Sequence, residues 1–153
     1  AANQIYDGMH NIIRQLRPGS LDNLGLSETI KDEMNSWQSQ HPSLKVNLII
    51  KGNIDLLGEV VNINVYRIIQ EAMNNVVKHA KASAIKISLL KTKDSLKIEC
   101  VDDGKGFDLK ILKKTKQFGL MGIKERTQSL NGNFDIKSSA NKGTHITIVI
   151  PTK

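Results

Sequence analysis

Residues 84–107, "AIKISLLKTKDSLKIECVDDGKGF", decide the fold class, because two runs of alternating apolar side chains flank a short polar turn. Alternation with a period of two is typical of strands that bury one face. The segment therefore predicts a β-hairpin whose second strand ends in adjacent carboxylates, Asp102 and Asp103, followed by Gly104 and Gly106. Glycines at this spacing permit a positive φ and let a ligand approach the main chain.

The rest of the chain predicts a mixed, mainly antiparallel sheet with helices on one face. Apolar residues three and four positions apart predict helices, and alternation predicts three more strands. Helices are expected at residues 5–17, from a cap at Ser27 to residue 40, at residues 56–79, and at residues 119–131 with Gly132 at the end; strands are expected at residues 45–50, 134–138 and 144–151. Hairpins interrupted by helices favour an α+β two-layer sandwich over a doubly wound fold.

The composition limits the number of domains and the kinds of partner. A chain of 153 residues with 39% hydrophobic content supports one sizeable core. Its apolar runs are strand-sized, whereas a membrane-spanning helix needs about 20 apolar residues. Cys100 is the single cysteine, so we expect a buried, inert thiol in a reducing compartment. The net charge of +7 attracts polyanions, but an aromatic content of 4% disfavours a nucleic-acid binder.

The predicted helix at residues 56–79 carries the densest group of chemically useful side chains. Glu71, Asn75 and His79 follow one another at intervals of four residues and share a polar face, with Lys78 beside them. A solvated face of an ordinary amphipathic helix has the same pattern, so the spacing leaves that interpretation open. In the functional alternative, Asn75 offers an amide oxygen to Mg²⁺, Glu71 orients or deprotonates a nucleophile, and Lys78 meets phosphate. His79 lacks a second ligand at metal spacing, which favours a structural hydrogen-bonding role.

The strand-end carboxylate Asp102 also allows two interpretations. It suits the exocyclic amine of a planar base, which needs one hydrogen-bond acceptor deep in a pocket. The pattern Asp-x-Gly-x-Gly is equally common in ordinary turns. Taken alone, it does not decide between a turn and a ligand site.

Four motifs in order resemble one known family. "QEAMNNVVKHA" at residues 70–80 is similar to the N box of the ATP-binding catalytic domain of sensor histidine kinases, and "DDGKGF" at 102–107 to its first glycine box. "GLMG" at 119–122 resembles the second glycine box, and "NKGTHITIVIP" at 141–151 the closing strand. That domain shares a Bergerat-type ATP-binding fold with gyrase, a heat-shock chaperone and the mismatch-repair ATPases. "LRPGSLDNLGL" at 16–26 resembles more narrowly the kinases that pair with nitrate-response-type regulators.

The resemblance implies a role for each matching residue. Asn75 would ligate Mg²⁺, Glu71 would position a water or act as base, and Asp102 would bind the adenine amino group. Residues 107–118 would form a lid over the nucleotide, and the glycines of the second box would let the next helix present backbone amides to phosphate. The other residues implied in ATP binding are Lys78, His79, Gly104, Gly106, Phe107, Gly119, Leu120, Gly122, Gly143 and Thr144.

The resemblance also implies how the intact protein is organised. Residues 19–153 would be the ATP-binding catalytic domain and residues 1–18 the end of a dimerisation helix, within a longer homodimeric protein. The γ-phosphoryl group of ATP would pass to a histidine on the dimerisation domain and then to a response regulator. His10 is followed by Asn11 rather than by an acid, so the acceptor histidine is expected elsewhere.

Two further points stay open at the sequence level. The resemblance places this domain in the cytoplasm, but it does not decide whether the intact protein is soluble or membrane-anchored. The alternative function is a nucleotide-responsive interaction module without kinase turnover. The presence of both Glu71 and Asn75 argues against that alternative.

Overall fold

The computed structural model describes residues 24–106 and 118–152, which form a sheet and the helices that cover one of its faces. The elements, in chain order, are α1 (Gly25–Gln40), β1 (Lys45–Lys51), α2 (Glu59–Asn75) continued by a π-helical turn (Val76–Ala80), β2 (Ala84–Lys91), β3 (Ser95–Asp102), α3 (Phe118–Ser129), β4 (Asn133–Ser138) and β5 (Thr144–Pro151). The predicted helix at residues 5–17, the boundary at residue 18, Phe107 and most of the predicted lid lie outside the described residues.

The sheet has five strands in the order β1-β2-β3-β5-β4. β1 pairs with β2 in parallel, and the other three pairings are antiparallel. The predicted hairpin is confirmed as β2–β3, with Ile85 opposite Asp102 and Leu89 opposite Ile98. The closing hairpin is confirmed as β4–β5. The sheet is therefore mixed and mainly antiparallel, as the sequence predicts.

One face of the sheet and the helices over it make the hydrophobic core. Alternate residues of β2, β3 and β5 are buried on this face, and the predicted apolar face of α2 is buried against them. The residues of that helical face are Val65, Ile68, Ile69, Ala72, Met73 and Val76. The opposite face of the sheet carries polar side chains such as Lys86, Lys97 and Glu99, which are exposed or partly exposed. This arrangement confirms the α+β two-layer sandwich.

The predicted cap of α1 is wrong. The helix begins at Gly25, and Ser27 lies within its first turn, where its backbone N–H and its hydroxyl both donate to the carboxylate of Asp55 at 2.9 and 3.0 Å. A carboxylate at a helix N-terminus satisfies free N–H groups and complements the helix dipole. Because Asp55 belongs to a distant loop, local sequence spacing does not reveal it.

The end of α3 also differs from the prediction. Asn131, not Gly132, takes the left-handed conformation, with φ of +59°. The N–H of Gly132 donates to Thr127 O at 2.9 Å and that of Asn131 to Gln128 O at 3.0 Å, the two bonds of a Schellman motif. Gly132 is suited to its position for another reason, since a Cβ there would lie 2.8 Å from Val149 O.

Within residues 24–106 and 118–152, no helix is both long enough and apolar enough to cross a membrane.

Candidate functional site

The two adjacent acids at the end of β3 point to different surroundings, as strand alternation requires. Asp102 is half-buried and accepts the N–H of Gly104 at 2.8 Å and the N–H of Thr144. Asp103 is exposed and accepts the N–H groups of Ser83 and Ala84 at 2.8 and 2.9 Å, together with the Ser83 hydroxyl. Asp103 therefore anchors the start of β2, which leaves Asp102 as the acid available to a ligand.

The pKa values of the two acids move in opposite directions. Burial raises the pKa of Asp102, and the hydrogen bond from the Gly104 N–H opposes that rise only in part. The hydrogen bond from the Ser83 hydroxyl and those from neighbouring backbone N–H groups lower the pKa of Asp103. Asp102 is thus the more easily protonated of the two.

A narrow pocket opens beside Asp102, between the sheet and α2. Its polar lining consists of Asn75, Asp102 and Thr144, and its apolar lining consists of Ala72, Val76, Cys100 and Ile146. Thr144 is buried, and its hydroxyl lies 2.9 Å from the Ser138 hydroxyl. Apolar walls with a few convergent polar groups are the type of lining that binds a flat heterocyclic base. The structure therefore brings Asn75, Asp102 and Thr144, which the sequence analysis singled out separately, to a single pocket.

The polar face of α2 continues from this pocket. Glu71 lies one turn before Asn75, and each has a buried polar atom without a hydrogen-bond partner among the described residues: Glu71 Oε2 and Asn75 Nδ2. Buried polar atoms are normally paired, so these two fit residues whose partner is a ligand. In the part of the chain that the structure describes, no three His, Cys, Asp or Glu side chains cluster as metal ligands. A cation at Asn75 would rely on the amide, water and ligand phosphates, a coordination that Mg²⁺ accepts.

Glu71 has a charged neighbour that the sequence analysis missed. Arg126 of α3 donates from Nε to Glu71 Oε1 at 3.4 Å and from Nη1 to Asn64 Oδ1 at 3.5 Å. Burial raises the pKa of Glu71, while the charge and hydrogen bond of Arg126 oppose that rise. The available signal was spacing, because Gly119, Gly122 and Arg126 lie three and four residues apart and share one face of α3.

Gly122 is where α3 passes closest to that carboxylate. A Cβ at this position would lie 2.7 Å from Glu71 Oε2, so any side chain there would displace the carboxylate. Gly119 lies in the first turn of α3, and Leu120 is buried in the core. The contact between the amides of this turn and phosphate stays a prediction.

Gly106 of the first box and Gly143 of the closing-strand motif each allow two backbone segments to lie close together. Gly106 has φ of +67°, and a Cβ there would collide with the carbonyl oxygen of Ser139 in the β4–β5 turn. Gly143 has φ of +76°, and a Cβ there would collide with the carbonyl oxygen of Asp102. The close approach of a ligand was expected at Gly104 and Gly106. At Gly106 the structure shows close approach of the protein's own backbone instead, and Gly104 contributes its N–H to Asp102.

The two remaining residues of the N box lie in the π-helical turn after α2. Lys78 is exposed there, and His79 follows it in the same turn. The turn ends at Lys81, which has φ of +48°. Single π-helical turns occur frequently at functional sites. Lys78 is thus free of the core and close in sequence to Asn75.

Residues 61–153 match the sequence pattern of the family described as "Histidine kinase-, DNA gyrase B-, and HSP90-like ATPase". The chain belongs to this family, and its two-layer sandwich is an ATP-binding domain of that class. The resemblance inferred from the four motifs is thereby confirmed.

Named relatives narrow the comparison to histidine kinases. The "Signal transduction histidine-protein kinase/phosphatase DegS" of Brevibacillus brevis is 38% identical over 143 residues, which is 94% of this chain. The protein of the same name from Bacillus subtilis (strain 168) is 35% identical over 139 residues, 88% of this chain. The chain spans 36% of the length of each of these two relatives.

Solved structures of histidine kinases share the fold. The histidine kinase domain from the Erythrobacter litoralis EL346 blue-light activated histidine kinase has a TM-score of 0.71 at 15% identity, covering 84% of this chain and 61% of that one. The mycobacterial sensor histidine kinase MprB has a TM-score of 0.64 at 13% identity, covering 84% of this chain and 95% of that one. These similarities confirm the Bergerat-type α+β fold.

Proposed function

We propose that this chain is the catalytic domain of a two-component sensor histidine kinase. In the intact homodimer it transfers the γ-phosphoryl group of ATP to a histidine on the dimerisation domain, for relay to a response regulator. One observation carries the proposal: Asp102 and Asn75, from different elements, line the same apolar slot. A cytoplasmic location for the domain fits its use of ATP and its unpaired Cys100.

The base of the nucleotide would be held by shape and by one strong acceptor. The purine would lie against the apolar lining of the slot, and its amino group would donate to the ionised carboxylate of Asp102. The bonds from Gly104 and Thr144 hold that carboxylate in place before the ligand arrives. Preorganisation of this kind lowers the entropic cost of binding.

The phosphates would lie along the polar face of α2. Asn75 would hold Mg²⁺, which when bound neutralises phosphate charge, and Lys78 would add a mobile cation. Gly119 would let the first-turn amides of α3 face the phosphates. Glu71 would orient or deprotonate the attacking group, since its Oε2 is free of partners among the described residues. Phosphoryl transfer depends mainly on such positioning and charge neutralisation.

Calorimetric titration of the chain with ATP and ADP, with and without Mg²⁺, tests the proposal. Asp102→Ala should weaken nucleotide binding about 10- to 150-fold. Asn75→Ala should remove the part of the affinity that depends on Mg²⁺. Lys86→Ala, on the opposite face of the sheet, is the matched control and should bind normally. Absence of nucleotide binding by the unmodified chain would exclude the proposal.

Phosphoryl transfer can be tested only in a protein that also contains the acceptor histidine. A kinase that carries this domain and its dimerisation domain should label a histidine from γ-labelled ATP and lose the label to a response regulator. Normal nucleotide binding without histidine labelling would instead support the interaction module without kinase turnover. Tight oligonucleotide binding without affinity for ATP would indicate the nucleic-acid binder that the composition disfavours.

A further inference from the structure

Arg126 of α3 reaches across the helix–helix interface to Glu71 of α2. We propose that Arg126 is a positioning residue, which holds Glu71 by one oxygen so that the other oxygen points to the reacting groups. This inference rests on the proposed function and concerns a residue outside the four motifs that suggested it.

The guanidinium of Arg126 has two anchors on α2. Nε donates to Glu71 Oε1 at 3.4 Å, and Nη1 donates to Asn64 Oδ1 at 3.5 Å. Asn64 and Glu71 are two helical turns apart, so the guanidinium spans the same face of α2 that carries Asn75 further on. Both distances are long for hydrogen bonds, as catalytic contacts often are before substrate binds. The contact therefore restricts the orientation of the Glu71 carboxylate without fixing it in a single position.

The two oxygens of Glu71 have different surroundings. Oε1 accepts from Arg126, whereas Oε2 is buried, has no partner among the described residues and lies where Gly122 leaves room. A carboxylate held in this way can accept a proton or orient a water only through Oε2. The glycine and the arginine, one turn apart on α3, thus act together on a single side chain.

The two arginines near Glu71 favour its ionised form, whereas burial and the charge of Glu125 disfavour it. Arg126 and Glu125 of α3 and Arg67 of α2 are the charged groups that act on it, and burial is the main influence that raises its pKa. Arg67 is itself buried beside Arg126, and burial lowers its pKa. Removing Arg126 would take away both a hydrogen bond and a positive charge, so Glu71 would gain a proton at a higher pH.

The competing explanation is an ion pair that merely ties α3 to α2. The interface between these helices already contains buried apolar residues, including Leu120 and Ile123 of α3 and Ile68 of α2. An ion pair of that kind would contribute only to stability. Its removal would lower the free energy of unfolding and leave the rate of catalysis unchanged. Both explanations predict that the Glu71 pKa rises when Arg126 is removed. They differ in the rate of transfer and in its pH dependence at constant nucleotide affinity.

The first test is an NMR titration of the Glu71 side-chain carboxyl in this chain. Arg126→Met should raise the Glu71 pKa by about half a pH unit, the size expected for losing one partly exposed ion pair. Arg126→Lys should keep the Glu71 pKa close to its value in the unmodified chain, because lysine retains the positive charge. Lys124→Met, an equal charge change at an exposed position on the same helix, should leave the pKa unchanged. An unchanged Glu71 pKa in Arg126→Met overturns the proposal.

The second test measures histidine labelling in a kinase that carries both domains. Arg126→Met should lower kcat by about tenfold to a hundredfold, the larger value being the scale for a misplaced catalytic group. It should also shift the acid limb of the kcat profile to higher pH. The KM for ATP and the Kd for ADP should stay within about twofold, because Arg126 acts through Glu71. Asn64→Ala should lower kcat with little change in the Glu71 pKa, since only the second anchor is lost. Loss of ADP affinity in Arg126→Met would instead assign Arg126 to nucleotide binding.

Failure of this inference is distinguishable from failure of the proposed function. If the unmodified chain binds no nucleotide, the kinase proposal fails, while the titration still reports whether Arg126 controls Glu71. If Arg126→Met does not fold, Asn64→Ala decides the outcome with Arg126→Lys as its control, because both keep the helix interface. Because Arg126→Lys keeps the charge, its kcat is expected to be close to normal, and a normal kcat in Asn64→Ala overturns the proposal.

Discussion

Replacing each of the two neighbouring acids at the end of β3 should separate binding from folding. Asp102→Ala is expected to weaken nucleotide binding with little net effect on stability, because the loss of the bonds from Gly104 and Thr144 is offset by no longer burying a charge. Asp103→Ala should instead reduce stability with little effect on affinity. The two changes delete the same side chain at adjacent positions. Each variant is therefore the control for the other.

The magnitudes follow from the contacts. A hydrogen bond to a charged acceptor contributes about 1.5–3 kcal/mol, so losing the Asp102 carboxylate should weaken ADP binding about 10- to 150-fold. Asp103 accepts two backbone N–H groups and one hydroxyl, but its side chain is exposed and water replaces part of what is lost. A cost of about 1 kcal/mol is expected for Asp103→Ala.

The dependence on pH has opposite signs for the two acids. Burial raises the folded-state pKa of Asp102 above its ordinary 3.8, so its ionisation costs stability as the pH rises through that pKa. Its ability to accept from the base declines as the pH falls through the same raised pKa. The pKa of Asp103 is lowered, so its contribution to stability is present above 3.8 and is lost as the pH falls through the lower value.

Calorimetry with ADP and urea denaturation of each variant provide the measurements. Asp102→Asn should keep part of the affinity, because an amide oxygen still accepts. The reasoning would be refuted if Asp103→Ala lost as much ADP affinity as Asp102→Ala, or if both variants unfolded at the same lowered urea concentration.

Three other substitutions or modifications test separate features. Gly122→Ala would normally stabilise a helix by up to about 1 kcal/mol, but its Cβ would lie 2.7 Å from Glu71 Oε2, so urea denaturation should show no gain and histidine labelling should fall. A clear gain in stability with normal labelling would contradict this packing. Asp55→Ala should cost about 1 kcal/mol through loss of the α1 cap, and Asp55→Asn, which keeps an acceptor, should cost less; equal losses in urea denaturation would argue against capping. Burial raises the pKa of the Cys100 thiol to about 12, so iodoacetamide should react slowly with the folded chain and more slowly still with ADP in the slot that Cys100 lines; a reaction rate like that in urea would disprove its burial.

Local patterns were sufficient for most elements of the fold, whereas the family resemblance was needed to single out Asn75, Asp102 and Thr144. Period-two alternation located β2, β3 and β5, and helical spacing located the buried face of α2, because both depend on neighbours in sequence. Through that resemblance, the order of the four motifs predicted that Asn75, Asp102 and Thr144 belong to one site.

Long-range contacts were beyond the reach of those patterns. The cap supplied by Asp55, the parallel pairing of β1 and the contact between Arg126 and Glu71 each join segments that are distant in sequence. The carbonyl oxygens that a Cβ at Gly106 or Gly143 would meet also belong to residues distant in sequence. Such features need coordinates because nothing in the local sequence distinguishes one distant partner from another.

The apolar lining of the nucleotide slot consists of residues that also belong to the hydrophobic core, among them Val76, Cys100 and Ile146. Binding and folding are consequently linked, and a nucleotide at 100 times its Kd would add about 2.7 kcal/mol to the free energy of unfolding. A cell that keeps its adenylate pool high would thereby protect this domain from proteases. If the slot binds nucleotide as proposed, a fall in the adenylate pool would leave more of the domain unliganded and therefore easier to unfold.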